Sequence, residues 1–319
     1  MVNELVNFDK IKEAAKTIHP YIRHTPFMSA KKTHSEPAYD CDLFLKLELQ
    51  QLTGSFKVRG TANKIFTLPK EQLKNGIVTA SGGNHGRAVA YMGRKLKIPT
   101  TVYLPVNTSE HKVAAIAKYN PEIIMTGKDL NEANEIASQA AQETNRGFIH
   151  PYADPDVING QGTLGLEIMD DIKGLDALVM AIGGGGLIGG VSTVAKHINP
   201  DIKIYGVEPI GCPTMYESLK TDKLYEVPEI TTKVGTLAIR KTSELNLKIA
   251  QNVVDQVILV SDEEMQNASN WLWQEFGIAA ELSGAASIAV ILSGKLPITK
   301  SQKVCALVCG LGNDGTQKY

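Results

Sequence analysis

The chain has 319 residues, 43% of them apolar, enough to bury the core of one large domain or two medium ones. Its 33 basic and 34 acidic side chains leave a net charge of −1, which argues against a basic nucleic-acid-binding face and against a charged tail. The longest apolar runs, such as 177–182, are too short to span a bilayer, so neither nucleic acid nor membrane is expected as a partner. Met1-Val2-Asn3-Glu4 lacks the basic-then-apolar pattern of a targeting segment. The cysteines Cys41, Cys212, Cys305 and Cys309 form neither a CxxC pair nor a disulfide framework. Free thiols in a cytoplasmic protein are the expectation.

In chain order, helical spacing of apolar residues predicts a helix over 8–18, with Asp9 near its start. His24-Thr25-Pro26 breaks the pattern. Alternation over 43–48 predicts a strand, and 55–66 a helix. Four strands follow at 76–80, 100–104, 122–125 and 147–150, separated by helices near 85–96, 109–118 and 130–143. Pro151-Tyr152-Ala153-Asp154-Pro155 marks a crossing back. Strands are then expected at 177–182, 203–208, 257–260 and 304–309, and helices at 187–197, 263–276 and 283–293. The alternation predicts an α/β fold with two parallel-sheet domains covered by helices. The run 76–153 reads as a small parallel-sheet domain inserted into a larger one formed by 1–75 and 154–319. There is no internal repeat of 20–50 residues and no low-complexity stretch.

Four segments carry chemistry. Thr53-Gly54-Ser55-Phe56-Lys57-Val58-Arg59-Gly60 sets a lysine behind an aromatic residue, a context that lowers an amine's pKa by burial and makes it a nucleophile for a carbonyl. Taken alone, the same octapeptide also reads as a helix start with a solvated lysine. Gly183-Gly184-Gly185-Gly186, between a buried strand and a helix beginning near Leu187, brings backbone N–H groups to a helix N-terminus and reads as a phosphate cradle or a tight turn. It is not GxGxxG, so a dinucleotide site is the weaker phosphate reading. Ser81-Gly82-Gly83-Asn84-His85-Gly86 opens another helix with converging backbone donors. His85 there is as readily a structural hydrogen-bonder as a substrate ligand. Cys309, in Cys309-Gly310-Leu311-Gly312-Asn313, ends the last apolar strand and by itself reads as a small buried hydrophobe.

In order and spacing these four segments resemble the serine/threonine dehydratase and serine racemase family, pyridoxal-phosphate (PLP) enzymes of the tryptophan-synthase β fold, also called fold type II. The resemblance runs from about His19 onward. It implies PLP held on Lys57 as an internal imine, with the freed Lys57 amine as catalytic base and Phe56 beside it. It places Gly183, Gly184, Gly185, Gly186 and Leu187 on the phosphate, Asn84 by the 3′-oxygen, and Gly235, Glu281 and Cys309 along the ring. It assigns the substrate carboxylate to Ser81, Gly82, Gly83, Asn84 and His85. A neutral thiol at the pyridine nitrogen cannot fully protonate it, which suits elimination more than transamination.

The sequence departs from the family pattern in five places. Cys-Gly-Leu-Gly-Asn replaces Ser-Gly-Gly-Asn, leaving the register between Cys309 and Gly310 open. Val234 replaces an acid before Gly235. Leu282 replaces a proline after Glu281, which reads equally as a structural carboxylate. Gly82 stands where racemases of the family carry a serine acting as acid/base on the face opposite the lysine. In the segment that holds a divalent cation in many relatives, Glu208 and the Cys212 carbonyl are present but Thr214 replaces the second acid.

The expected activity is that of a PLP-dependent ammonia-lyase converting L-threonine or L-serine to an α-keto acid and ammonia. An amino-acid racemase and a 3-hydroxyaspartate or aryl-serine dehydratase are the alternatives. A β-replacement synthase is disfavoured by the Gly-Gly-Asn-His-Gly loop, and a non-catalytic amino-acid-binding protein by Lys57. The resemblance also implies a homo-oligomer, a dimer at its simplest. The sequence stops four residues after Gly315, so a C-terminal regulatory domain and feedback inhibition through it are not expected.

Overall fold

Two sheets carry the chain in the computed structural model, which describes residues 2–34 and 39–316. Its strands are β1 Phe27–Ser29, β2 Asp42–Lys46, β3 Ile77–Ala80, β4 Thr100–Leu104, β5 Glu122–Met125, β6 Gly147–Phe148, β7 Ala177–Ala181, β8 Lys203–Pro209, β9 Gln256–Val260 and β10 Lys303–Leu307. A six-stranded sheet has the order β1-β2-β10-β7-β8-β9, and a four-stranded sheet the order β5-β4-β3-β6. All pairings are parallel except β1 with β2. The parallel strands β3, β4 and β7 are buried along their whole length, which is why they read as continuous apolar or small-residue runs. Among the described residues no helix is long and apolar enough to cross a membrane.

The expected α/β alternation is present, with differences in a strand and several helices. β1 was not anticipated: three residues beside Pro26 are too few to show a period, and its place at the sheet edge comes from pairing Phe27 with Lys46 and Ser29 with Phe44. The helix Pro155–Asp171 was also not anticipated, since only a crossing was read there. Asp154 caps it, accepting from the Asp156 and Val157 N–H groups, and Pro155 occupies its first turn. Gly160, Gly162 and Gly165 lower its intrinsic propensity by about 1 kcal/mol each and hide it. Shorter helices at Lys70–Asn75, Thr214–Thr221 and Glu244–Val253 were also unforeseen.

Those glycines have a packing reason. The helix Pro155–Asp171 lies against both the helix Lys57–Thr67 and the helix Gly186–Ile198. A Cβ on Gly160 would come within 2.6 Å of the Gly60 Cα, and one on Gly190 within 2.6 Å of the Gly162 nitrogen. The three backbones therefore touch, and no side chain separates them.

Beside this stack lies a buried charge network. The Arg59 guanidinium donates to both oxygens of Glu48, at 2.7 and 2.8 Å, and to Glu167 at 2.7 Å. Lys46 reaches Glu167 at 3.0 Å and Asp171 at 2.8 Å. Lys46, Glu48 and Arg59 are fully buried. Burial would raise the Glu167 carboxyl, but Arg59 and Lys46 together hold it below the usual glutamate range.

Removing one member of such a network leaves its partners buried without compensation, at a cost of about 3–5 kcal/mol. Arg59→Met is expected to lose that much in a urea unfolding curve, and a loss comparable to a surface substitution would show the network to be dispensable. Because the folded Glu167 value is depressed, its stabilisation is complete above the unfolded value and is lost as pH falls through the lowered one.

Candidate active site

Lys57 owes its position to a sharp turn. Thr53 and Gly54 both take positive φ, at 68° and 79°, and the Gly54 carbonyl accepts from Leu311 N–H at 2.8 Å. The chain then enters the helix Lys57–Thr67 with Lys57 in its first turn, where the helix dipole disfavours a positive charge. The Lys57 Nζ donates to the Pro151 carbonyl at 2.8 Å and lies 5.1 Å from the centroid of the Phe56 ring. Burial lowers its pKa to about 8, against Cys309 and Glu281, which raise it. Lys57 lines a cleft of about 750 Å³ that takes walls from both sheets.

The tetraglycine leaves β7 and enters the helix Gly186–Ile198, with Gly185 at φ 91° as its cap. A Cβ on Gly184 would sit 2.1 Å from the Tyr152 ring, so the glycine is required there by protein packing. Thr242 donates to the Gly184 carbonyl at 3.0 Å, and Asn246 donates to the same oxygen. With the carbonyl turned toward these donors, the first amides of the helix are left without intrahelical partners. Gly183, Gly184, Gly185, Gly186 and Leu187 all line the cleft.

Ser81, Gly82, Gly83, Asn84 and His85 line it from the end of β3 and the start of the helix Asn84–Leu96. The Asn84 amide donates to Glu281 at 2.8 Å and accepts from Arg87 at 3.0 Å, which leaves one of its two N–H groups. The His85 ring is tied to the Ile149 carbonyl through Nε2 at 3.1 Å, an arrangement that makes Nε2 the protonated nitrogen. Burial first, then Lys57 and His150, push its pKa down to about 3, so the ring is neutral and structural. Its Nδ1 is buried without a hydrogen-bond partner. His150 is neutral for the same first reason, lowered by burial to about 4, and its Nδ1 accepts from Tyr152 and Ala153 N–H.

Glu281, raised by burial, accepts from Asn84 and from Ser283. The Cys309 thiol is pushed far upward by burial and donates to the Ser283 carbonyl at 3.5 Å. Cys309 lines the cleft, while a Cβ on Gly310 would strike Glu281 at 2.1 Å. Gly235 lines the cleft with nothing within 4 Å of where its Cβ would be. Tyr152, Ser283, Thr108 and Lys112 also line it and were not anticipated. Tyr152 lay inside the run read only as a crossing. Nothing local marks Thr108 or Lys112.

A family model described as "Pyridoxal-phosphate dependent enzyme" matches residues 18–310, and the chain belongs to that family. It is 38% identical over 315 residues to a catabolic L-threonine dehydratase of Staphylococcus aureus, covering 98% of this chain and 91% of that one. The fold is similar to that of maize serine racemase, with a TM-score of 0.91, 33% identity and coverage of 97% and 94%. It is also similar to the processed form of threonine deaminase isoform 2 from Solanum lycopersicum, with a TM-score of 0.90, 30% identity and coverage of 97% and 85%. The fold is therefore fold type II.

The residues present fit PLP. A buried amine of lowered pKa, amides at a helix start and the open space beside Gly235 suit an aldehyde, a phosphate and a flat ring in turn. At Glu208, where a divalent cation was allowed for, the carboxylate has partners within the protein. Both Glu208 oxygens are taken at 2.8 Å by the Met215 and Tyr216 N–H groups at the start of the helix Thr214–Thr221. Thr214 gives its hydroxyl to the Ile239 carbonyl. Among the described residues no three His, Cys, Asp or Glu gather to hold a metal. In the fold Glu208 accepts at a helix start.

Two outcomes follow. Covalent capture of PLP by apo-protein needs the uncharged amine, so its rate should rise with pH up to about 8 and then level off. A rate still climbing near pH 10, where an ordinary lysine titrates, would show an exposed amine. Exhaustive dialysis against a chelator should leave the catalytic rate unchanged. A loss restored by Mg²⁺ or Ca²⁺ would return Glu208 to the ligand role.

Proposed function

We propose that this chain is a PLP-dependent ammonia-lyase that converts L-threonine or L-serine to the α-keto acid and ammonia. The observation that carries the reading is the buried Lys57 amine of lowered pKa in a cleft that also holds the helix-start amides of Gly183–Gly186 and of Ser81–His85. The similarity to a threonine dehydratase over nearly the full chain supports the same substrate class.

PLP, when bound, supplies an electron sink that loosens the substrate's Cα–H bond. Lys57 would hold it through its Nζ, and the free Lys57 amine would take the α-proton. The amides at the start of the helix Gly186–Ile198 would hold its phosphate, and the remaining Asn84 N–H would be free for a ring oxygen. Cys309 would offer a ring nitrogen only a neutral thiol, because burial holds its proton in place. The amides of Ser81, Gly82, Gly83 and Asn84 orient the carboxylate at a helix start. The neutral rings of His85 and His150 keep competing positive charge away from Lys57.

We read the four-stranded sheet with its helices, 76–153, as a small domain inserted into the rest. The four free cysteines support a cytoplasmic location. A homo-oligomer, simplest as a dimer, rests on the family resemblance.

The purified protein is expected to form keto acid from L-threonine and L-serine with the D-amino acid as a minor product. Lys57→Ala should abolish this turnover, and borohydride followed by peptide mapping should place the phosphopyridoxyl group on Lys57. Label on another lysine, or keto acid from neither substrate, would overturn the reading.

A further inference from the structure

A trans peptide unit sets its C=O and the following N–H on opposite sides of the C–N bond, so whatever holds the carbonyl also aims the amide. In the tetraglycine the carbonyl held in this way is that of Gly184. Thr242 donates to it at 3.0 Å, and so does the Asn246 side-chain amide. Gly184 and Gly185 line the cleft, whereas Thr242 and Asn246 do not. The carbonyl is therefore drawn out of the cleft, and the Gly185 N–H faces the other way, toward it. Among the described residues that N–H has no backbone acceptor. Asn246 belongs to the helix Glu244–Val253 and is 1% exposed. Its Nδ2 also donates to the Tyr152 carbonyl at 3.3 Å, and the Tyr152 ring occupies the space that a Cβ on Gly184 would need. One buried amide thus ties the loop to the segment packed on it. Its Oδ1 is buried without a partner, a costly state for an acceptor. Turning the amide over would set that oxygen against two carbonyl oxygens, so the orientation that serves both carbonyls is kept.

We propose that Asn246 is a positioning residue for the cofactor phosphate, acting through the Gly184–Gly185 peptide unit. This rests on the reading of the helix-start amides as the phosphate holders. Asn246 lies outside the cleft lining and acts only by keeping that peptide turned so that the cleft receives a donor. Four successive glycines give the loop more backbone freedom than any other residues would. An unheld peptide would turn over and present a carbonyl oxygen where an anion needs an N–H. Fixing the peptide before the ligand arrives removes the ordering cost from binding. Thr242 holds the carbonyl from one side, and Asn246 adds the tie to Tyr152.

Pyridoxal, which has the aldehyde and ring of PLP but no phosphate, isolates this effect. The full chain, stripped of cofactor, is titrated with PLP and separately with pyridoxal, and the bound ligand is followed by its absorbance. The parent should bind PLP more tightly than pyridoxal. Asn246→Asp keeps the side-chain shape, removes both donors and sets an acceptor against the Gly184 carbonyl. It should lower PLP affinity relative to pyridoxal affinity by about 10-fold or more, the scale of one lost hydrogen bond to a charged group. Asn246→Ala, which introduces no charge, should move the ratio in the same direction. Melting temperatures show which variants are folded, and where N246D does not fold, N246A decides. A substitution that merely loosened the fold would weaken both ligands alike. A folded variant with the parent's ratio, whether both affinities stay or both fall together, overturns the proposal and leaves the phosphate reading standing. A parent that binds PLP and pyridoxal equally well overturns the phosphate reading and the proposal with it.

Discussion

The arrangement of the cleft depends on a backbone-to-backbone crossing. The helix Pro155–Asp171 is pressed against the helix that begins at Lys57 and against the helix that begins at the tetraglycine, with Gly60 on Gly160 and Gly162 on Gly190. Interposing side chains would separate these helices and, with them, the amine from the amides. Near the far end of the same helix, Glu167 and Asp171 enter the ion network of Arg59 and Lys46. Close contact and paired charge thus hold one helix along its length. Inserting a methyl group into such a contact costs about 1–3 kcal/mol, a large share of a marginal folding free energy.

Burial, more than charge pairing, sets the electrostatics of the cleft. It is the leading cause of the lowered Lys57, His85 and His150 values and of the raised Glu281 and Cys309 values. Each shift favours the uncharged form. The groups deep in the cleft are therefore polar and shifted toward their uncharged forms, and helix-start amides add positive potential there. Such an environment leaves a bound anion oriented without tying it to a flexible cation.

How much of this was legible in the sequence follows from the range of the signals. The strands at 100–104 and 122–125 and the helices at 8–18 and 130–143 carry their period within one window, and the structure has them with those bounds. The helix Pro155–Asp171 was hidden because its glycines answer to partners about 30 to 100 residues away, while local propensity counts them as breakers. The same holds in the cleft. Lys57, Asn84 and the tetraglycine announced themselves through their neighbours in sequence. Tyr152 and Thr108 matter through what they touch across the fold, Gly184 and Gly82, and no spacing encodes that. Glu208 shows the converse: its local sequence matches a cation-holding segment, and only the fold reveals that both its oxygens accept from backbone N–H groups at a helix start.

The strand order bears on how the protein is made. β10 is the last strand in the chain, yet it occupies the middle of the six-stranded sheet, pairing Val304 with Leu43 on one side and with Ala177 on the other. During translation β2 and β7 must wait, each with an unpaired apolar edge, until Lys303–Leu307 has left the ribosome. Pairings of such long sequence separation form slowly, and open strand edges invite association with other chains. The four-stranded sheet closes on residues 77–148 alone and escapes this delay. Nascent chains arrested before β10 should accordingly hold one finished sheet and one that depends on a chaperone.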